Sequence, residues 1–252
     1  SGCTDSNANN YNPESIIDDG TCEYGTQVSG VVSGSWTLDG SPYQVVGDVD
    51  IITTLDIEPG VIVIFYGDYD INVYGQLTAN GTEENPISFQ GYIPDNPIDG
   101  RIVFNNSWNG CALTHTRFID LANPVSTTGN FTMEVSDLSA TAINDLDFGG
   151  RDVSNITISG KVNNTSILDG SNIDGLSVTD SEAPILTLNG QPDNGPPTII
   201  KNATFDNINV SGDSFGSGII NVNWYNNILE NITISNSTGY GYAVMVYQQQ
   251  YG

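Results

Sequence analysis

The chain has 252 residues, with 30 Asp or Glu against 5 Lys or Arg and a single His, for a formal net charge of −25. That imbalance argues against nucleic acid and anionic membranes as partners, because both need Lys and Arg to replace counterions. Apolar residues make up 38%, little for a compact globule but enough for a thin, continuous core, and frequent β-branched and aromatic runs argue against the disorder of many acidic chains.

Residues 1–24, SGCTDSNANNYNPESIIDDGTCEY, read as a separate unit with few apolar residues beyond Ile16, Ile17 and two tyrosines. So small a unit cannot fold on hydrophobic burial alone and needs staples. It carries two kinds. Cys3 and Cys22 bracket it, and their pairing is expected, which places the chain in an oxidising compartment. The alternative is three reduced thiols in a cytosolic protein, which the composition disfavours. Cys111 stands alone and reads as a small buried hydrophobe. The second staple is a set of hard oxygen donors, Asp5, Asn10, Asn12, Asp18 and Asp19. Ca²⁺ takes about six to eight such oxygens, so calcium is the expected cofactor, and its binding energy would become folding energy. Asp5, Asn7 and Asn9 mimic the start of an EF-hand loop. That loop needs Gly and Glu where this chain has Asn10 and Ile16, so it is rejected. A solvated acidic linker held by the disulfide is the plainer alternative.

From Gly25 the pattern changes to short β-branched runs separated by turns rich in Gly, Asn, Asp and Ser. No helical periodicity lasts ten residues. Apolar strand centres fall into two columns. One runs Phe89, Phe118, Leu146, Leu176, Phe205, Ile232; the other runs Val103, Met133, Ile156, Leu186, Ile220, Val244. A period of 27–30 residues without helices predicts a β-solenoid over 25–252, each coil stacked on the last. QPDNGPP at 191–197 reads as a loop bulging from a corner. The competing fold is a sandwich of hairpins. The end, Tyr247-Gln-Gln-Gln-Tyr-Gly252, follows a strand without an evident cap, so the chain is expected to be a piece of a longer protein.

At 55–91, LDIEPGVIVIFYGDYDINVYGQLTANGTEENPISFQG resembles the opening coils of right-handed parallel β-helix domains in large secreted bacterial surface proteins. Ile57, Pro59, Gly60, Val61, Val73, Gly75, Leu77, Ala79, Gly81, Thr82, Pro86, Ile87 and Phe89 carry the resemblance. Pro59-Gly60 makes a tight corner, and Gly75 and Gly81 serve positive φ or close coil contact. Residues 2–22 are similar to short calcium motifs of the thrombospondin type 3 kind, through Gly2, Cys3, Thr4, Asp5, Ala8, Asn10, Tyr11, Asn12, Pro13, Asp18, Asp19, Gly20 and Cys22; Ser15 departs from the usual Ala. The resemblances imply an all-β, right-handed parallel β-helix with a small disulfide-stapled, calcium-binding N-terminal segment.

Other chemistry is thinner. Asp145, Asp147 and Asp174 are the candidates for glycoside cleavage on successive coils, with stacking expected to bring Arg117 near Asp145 and Asn144 near Asp174; surface ion pairs are the plainer alternative. Asn-x-Ser/Thr sites, the candidate glycosylation acceptors, fall at Asn80, Asn105, Asn130, Asn155, Asn163, Asn164, Asn202, Asn209, Asn231 and Asn236, though turns favour these residues anyway. Trp36, Trp108, Trp224, Tyr225, Tyr240 and Tyr242 are candidates for a sugar platform, against use as core or cap residues. An ice-binding surface would need a regular Thr-x-Thr ladder, and only scattered cases such as Thr114-x-Thr116 stand out. The expected function is an extracellular, calcium-rigidified structural or adhesive module of a cell-surface protein or filament, its partners other copies or domains of the same assembly, or glycans. The alternative is a carbohydrate-active enzyme or a glycan-binding module on the same fold.

Overall fold

The computed structural model describes residues 1–252 apart from 6–7, 9–10, 23–24, 95, 130, 142–151, 160–171, 181–185, 190–197, 211–217, 224–226, 240–241 and 248–252. Beyond the N-terminal unit the described chain is almost wholly strand. β1 (Thr26–Trp36) and β2 (Tyr43–Ile57) are long. Short strands follow: β3 (Ile62–Phe65), β4 (Asp70–Val73), β5 (Gln76–Asn80), β6 (Ile87–Gly91), β7 (Arg101–Asn105), β8 (Cys111–Thr114), β9 (Thr116–Ile119) and β10 (Val125–Thr128). Then come β11 (Met133–Thr141), β12 (Val153–Ser159), β13 (Ile173–Thr179), β14 (Leu186–Asn189), β15 (Thr198–Asp206), β16 (Asn209–Val210), β17 (Gly218–Asn223), β18 (Asn227–Ser235), β19 (Thr238–Gly239) and β20 (Tyr242–Tyr247). One 3-10 turn, Leu38–Gly40, is the sole helical element among the described residues.

Every pairing between these strands is parallel. Parallel neighbours cannot be joined by a tight hairpin, so the sandwich of hairpins is excluded and the chain is solenoid-like. β2 reveals the plan. Its first third pairs with β3, its middle with β4 and its last part with β5. A coil therefore presents three faces, and β2 bends across two corners to serve all of them. Most strands join one fifteen-stranded sheet; β14, β17 and β20 form a second, and β16 with β19 a third.

Alternation decides which side chains fill the interior. In β4, Ile71 and Val73 are buried while Asp70 and Asn72 face outward. On the first face, one inward row runs in register through Tyr43, Val63, Phe89, Phe118, Ala140, Ile158, Val178, Phe205 and Ile234. Phe89 and Phe118 stack with ring centroids 5.5 Å apart. A single apolar cluster extends from Val28 to Ile220.

This register corrects the sequence columns. Phe89–Phe118 and Leu186–Ile220–Val244 hold as drawn. Phe118, however, is followed by Ala140 rather than Leu146, and Phe205 stands between Val178 and Ile234 rather than between Leu176 and Ile232. Val103 faces outward, Met133 opposes Cys111, and Ile156 lies in a first-face strand. The period is also looser than expected, because corners differ in length from coil to coil.

Corner chemistry is regular. Where the third face turns into the first, His115, Asp137, Asn155, Gly175, Asn202 and Asn231 take φ between 46° and 82°. Where the first turns into the second, Asp120, Asp180, Asn207 and Asn236 do the same. Asn and Asp tolerate this left-handed region because their short polar side chains bond locally. Gly60 makes the expected tight corner, with φ 85°. At Gly75 close approach is what matters: a Cβ there would overlap the backbone of Thr53.

Candidate functional site

A concavity lined by carboxylates lies on the third face. It is an open groove of about 570 Å³, lined among others by Glu134, Ser136, Asp152, Ser154, Asp174 and Lys201. Register builds it: Ser136, Ser154, Asp174, Lys201 and Glu230 stand on successive coils. Asp174, the one described member of the sequence-derived carboxylate set, is thus brought beside Asp152 and Glu134, which the sequence reading did not single out. Asp145 and Asp147 lie outside the described residues, as does Asn144. Arg117 opposes Ser88 and Ser139 in the ladder.

Two of these carboxylates, Asp152 and Asp174, are engaged with amides. Asn202 Nδ2 donates to Asp174 Oδ1 at 2.6 Å, and Asn172 Nδ2 to Asp152 Oδ1 at 2.9 Å. Lys201 Nζ sits 3.3 Å from Glu230 Oε2. Glycoside cleavage pairs an ionised carboxylate with a carboxyl kept protonated by apolar surroundings. Glu134, Asp152 and Asp174 are all exposed, so the groove offers acceptors and amides rather than that asymmetric pair.

In the N-terminal unit Cys3 and Cys22 form the expected disulfide. Gly2 and Cys3 make isolated parallel bridges to Asp18 and Tyr11. The oxygen donors cap their own turns. Asp18 Oδ1 accepts from the Gly20 amide at 2.9 Å, Asn12 Oδ1 from the Glu14 amide at 3.0 Å, and Asp19 Oδ1 from both the hydroxyl and the amide of Thr21. The Thr21 hydroxyl is the main reason that the Asp19 carboxyl titrates below its ordinary range. The donor chemistry suits Ca²⁺. Convergence is the weaker point: among the described residues no three His, Cys, Asp or Glu side chains gather round one position. Asn10 lies outside the described residues.

The glycosylation candidates acquire a structural explanation. Asn155, Asn202, Asn231 and Asn236 are left-handed corner residues. Their amides donate to Asp137, Asp174, Asn202 and Asp206 of the preceding coil. In three of them the next residue points into the core and the Ser/Thr of the sequon faces outward, as in Asn202-Ala203-Thr204. Asn80 and Asn105 instead accept from the hydroxyls of Thr114 and Thr128. Asn209 is exposed on β16. Asn130, Asn163 and Asn164 lie outside the described residues.

Two further readings change. Trp36 is 5% exposed and stacks on Tyr43 at 4.6 Å, so the core has consumed it. Of the other platform candidates only Trp108 has a described side chain, and it is exposed. The hydroxyl ladder is more regular than the sequence disclosed: Ser139, Thr157, Ser177, Thr204 and Thr233 form one outward row on the first face, and Thr141, Ser159, Thr179, Asp206 and Ser235 a second. Mixing Ser with Thr hid the repeat.

Comparison with protein-family profiles, with curated proteins and with solved structures found no match to this chain.

Proposed function

We propose that this chain is an extracellular structural or adhesive module, a right-handed parallel β-helix that supplies stiff length in a cell-surface protein or filament. The observation that carries the reading is the unbroken parallel stack. The first face alone has ten rungs from β1 to β18, which at about 4.8 Å per rung amounts to roughly 43 Å. A continuous core and bonded corners make such a stack stiff. Right-handedness is supported by the strong chirality of parallel crossover connections. The disulfide supports an oxidising location, and among the described residues no helix is long and apolar enough to cross a membrane. In this reading calcium rigidifies the N-terminal joint, held by Asp5, Asn10, Asn12, Asp18 and Asp19, and the partners are other copies or domains of the same assembly.

The test is negative-stain electron microscopy of the native, calcium-replete material. Filaments or long stalks built from this unit are expected. Discrete single particles would defeat the assembly role. Adding EDTA is expected to loosen residues 1–24 and raise their proteolysis rate, and an unchanged rate would defeat the calcium assignment. The competing reading as a carbohydrate-active enzyme draws on the third-face groove. It requires turnover of a polysaccharide that Asp174→Asn abolishes while the fold persists.

A further inference from the structure

Strands β11, β12, β13, β15 and β18 run from the third face onto the first, and their outward residues differ between the two. On the third face they include Glu134, Asp174, Lys201 and Glu230. On the first face they are Ser139 and Thr141 on β11, Thr157 and Ser159 on β12, and Ser177 and Thr179 on β13, each pair flanking a buried Ala140, Ile158 or Val178. The first row goes on through Thr204 and Thr233, while the second reaches Asp206, which accepts from the Ser235 hydroxyl. Among the described residues Ser235 is the one member of the two rows whose hydroxyl is bonded within the protein. The other eight hydroxyls face solvent, and Asp206 is the one charge in the two rows from β11 to β18. In a chain with 30 acidic residues, a face that had only to stay wet would carry more carboxylates, as the third face does.

The hydroxyls form a two-dimensional lattice. Register passes through these positions on all five strands without a bulge. The hydroxyls therefore repeat about every 4.8 Å along the stack and about every 6.6 Å along a strand. Corner bonds tie the coils together on both flanks. Asn202 joins Asp174 and Asn231 on one side; Asn207 joins Asp180, and Asn236 joins Asp206, on the other. Side-chain ladders of this kind hold sheets flat.

In ice each oxygen bonds four others tetrahedrally at about 2.75 Å, a geometry that sets repeats of about 4.5 Å and about 7.3 Å. The hydroxyl lattice meets both repeats to within about a tenth. Over four rungs the mismatch along the stack grows to about 1.2 Å, which rotating hydroxyls can take up. We propose that the first face from β11 to β18 binds the surface of ice, its hydroxyls holding water at positions that the crystal shares. This is the regular ladder such a surface needs, with Ser standing in for Thr at three of the eight places. A mineral surface would call for carboxylates, which lie on the third face instead. A crystalline polysaccharide would call for aromatic rings, and none stands in either row. The inference gives the adhesive reading its target and rests on it to that extent.

The test is slow growth of seeded polycrystalline ice from a solution of the full chain, measuring the protein taken into the ice and the coarsening of the ice grains. Enrichment in ice and slowed coarsening are expected. Thr157→Tyr and Thr204→Tyr should each abolish both effects, because a protruding ring holds the crystal off the neighbouring rungs. Both positions are exposed, so the fold should persist, checked by an unchanged melting temperature. Ser126→Tyr, on the second-face strand β10, should leave both effects in place. No enrichment of the native chain overturns the proposal, as does enrichment that survives both ladder variants or is lost equally in Ser126→Tyr. Retention on crystalline chitin that the ladder variants abolish, without enrichment in ice, assigns the face to a polysaccharide and overturns it as well. Stalks or filaments seen by microscopy without ice binding would reject this site alone. Ice binding by discrete single particles would reject the assembly role alone.

Discussion

Asn202 donates its side-chain amide to the Asp174 carboxylate at 2.6 Å, bridging two coils through residues 28 apart in the chain. The same Asn202 accepts from Asn231 on the following coil at 3.1 Å. Asp174, attractive in sequence as part of a catalytic set, is therefore one end of a corner ladder. The left-handed φ of 53° at Asn202 completes its role.

Replacing that corner residue should separate the two contributions. Asn202→Ala loses the bond and strains the backbone, for a destabilisation of about 1–2 kcal/mol. Asn202→Gly keeps the conformation easily and should cost less. Denaturant midpoints of the two variants check this; Ala no worse than Gly would remove backbone strain from the account.

Acidification should weaken the last coils. Asp206 titrates below its ordinary range because it accepts from the Ser235 hydroxyl first and the Asn236 amide second, with the Asn207 backbone helping. A carboxyl depressed on folding stabilises the fold above its unfolded value, about 3.9, and that stabilisation is lost as pH falls through the folded value. Between pH 7 and pH 3 the native chain should lose more melting temperature than Asp206→Asn does. Equal losses would show that this carboxylate contributes nothing to the pH dependence.

One buried hydroxyl should be dispensable. Thr116 is 0% exposed, and among the described residues its Oγ1 finds no partner. Its inward position is shared with Ile87 on the preceding coil. An unsatisfied buried hydroxyl costs about 1–3 kcal/mol, and Val has nearly the same shape. Thr116→Val is expected to raise the melting temperature; a fall would mean that the hydroxyl is bonded after all.

The disulfide should matter locally. Cys3 and Cys22 are 19 residues apart, and closing a loop of that order is worth about 3 kcal/mol in the chain-entropy account. Paired Cys3→Ala and Cys22→Ala substitutions are expected to make residues 1–22 protease-sensitive. The melting of the strand stack should stay in place. A large shift in that melting would show that the N-terminal unit supports the coils directly.

Much of this architecture is legible in the sequence, and the failures share a cause. Phe89 over Phe118 was readable because both are large and flanked by similar strands. Leu176 was aligned with Phe205 although Val178 holds that place. Leu176 and Val178 both point inward, and a pattern of period two cannot choose between residues two apart. The jump from Phe118 to Leu146 failed because the next coil is short, and only the Asp137 corner marks where it turns. The Cys3–Cys22 pairing was legible because a unit so poor in apolar residues has few other means of holding together. The groove at Glu134, Asp152 and Asp174 was not, since its lining is assembled by register between coils rather than by spacing within one. The Tyr66–Tyr92 stack escaped for the same reason: the two rings become neighbours only when the coils stack.

Each rung meets only the rungs before and after it, so the molecule is close to one-dimensional. In such a chain of nearest neighbours, damage has no route across the body. Heat or denaturant should fray the stack coil by coil rather than melt it all at once. An interior fault, such as a lost phenylalanine in the Phe89–Phe118 pair, should divide the melting into two cooperative blocks on either side of it.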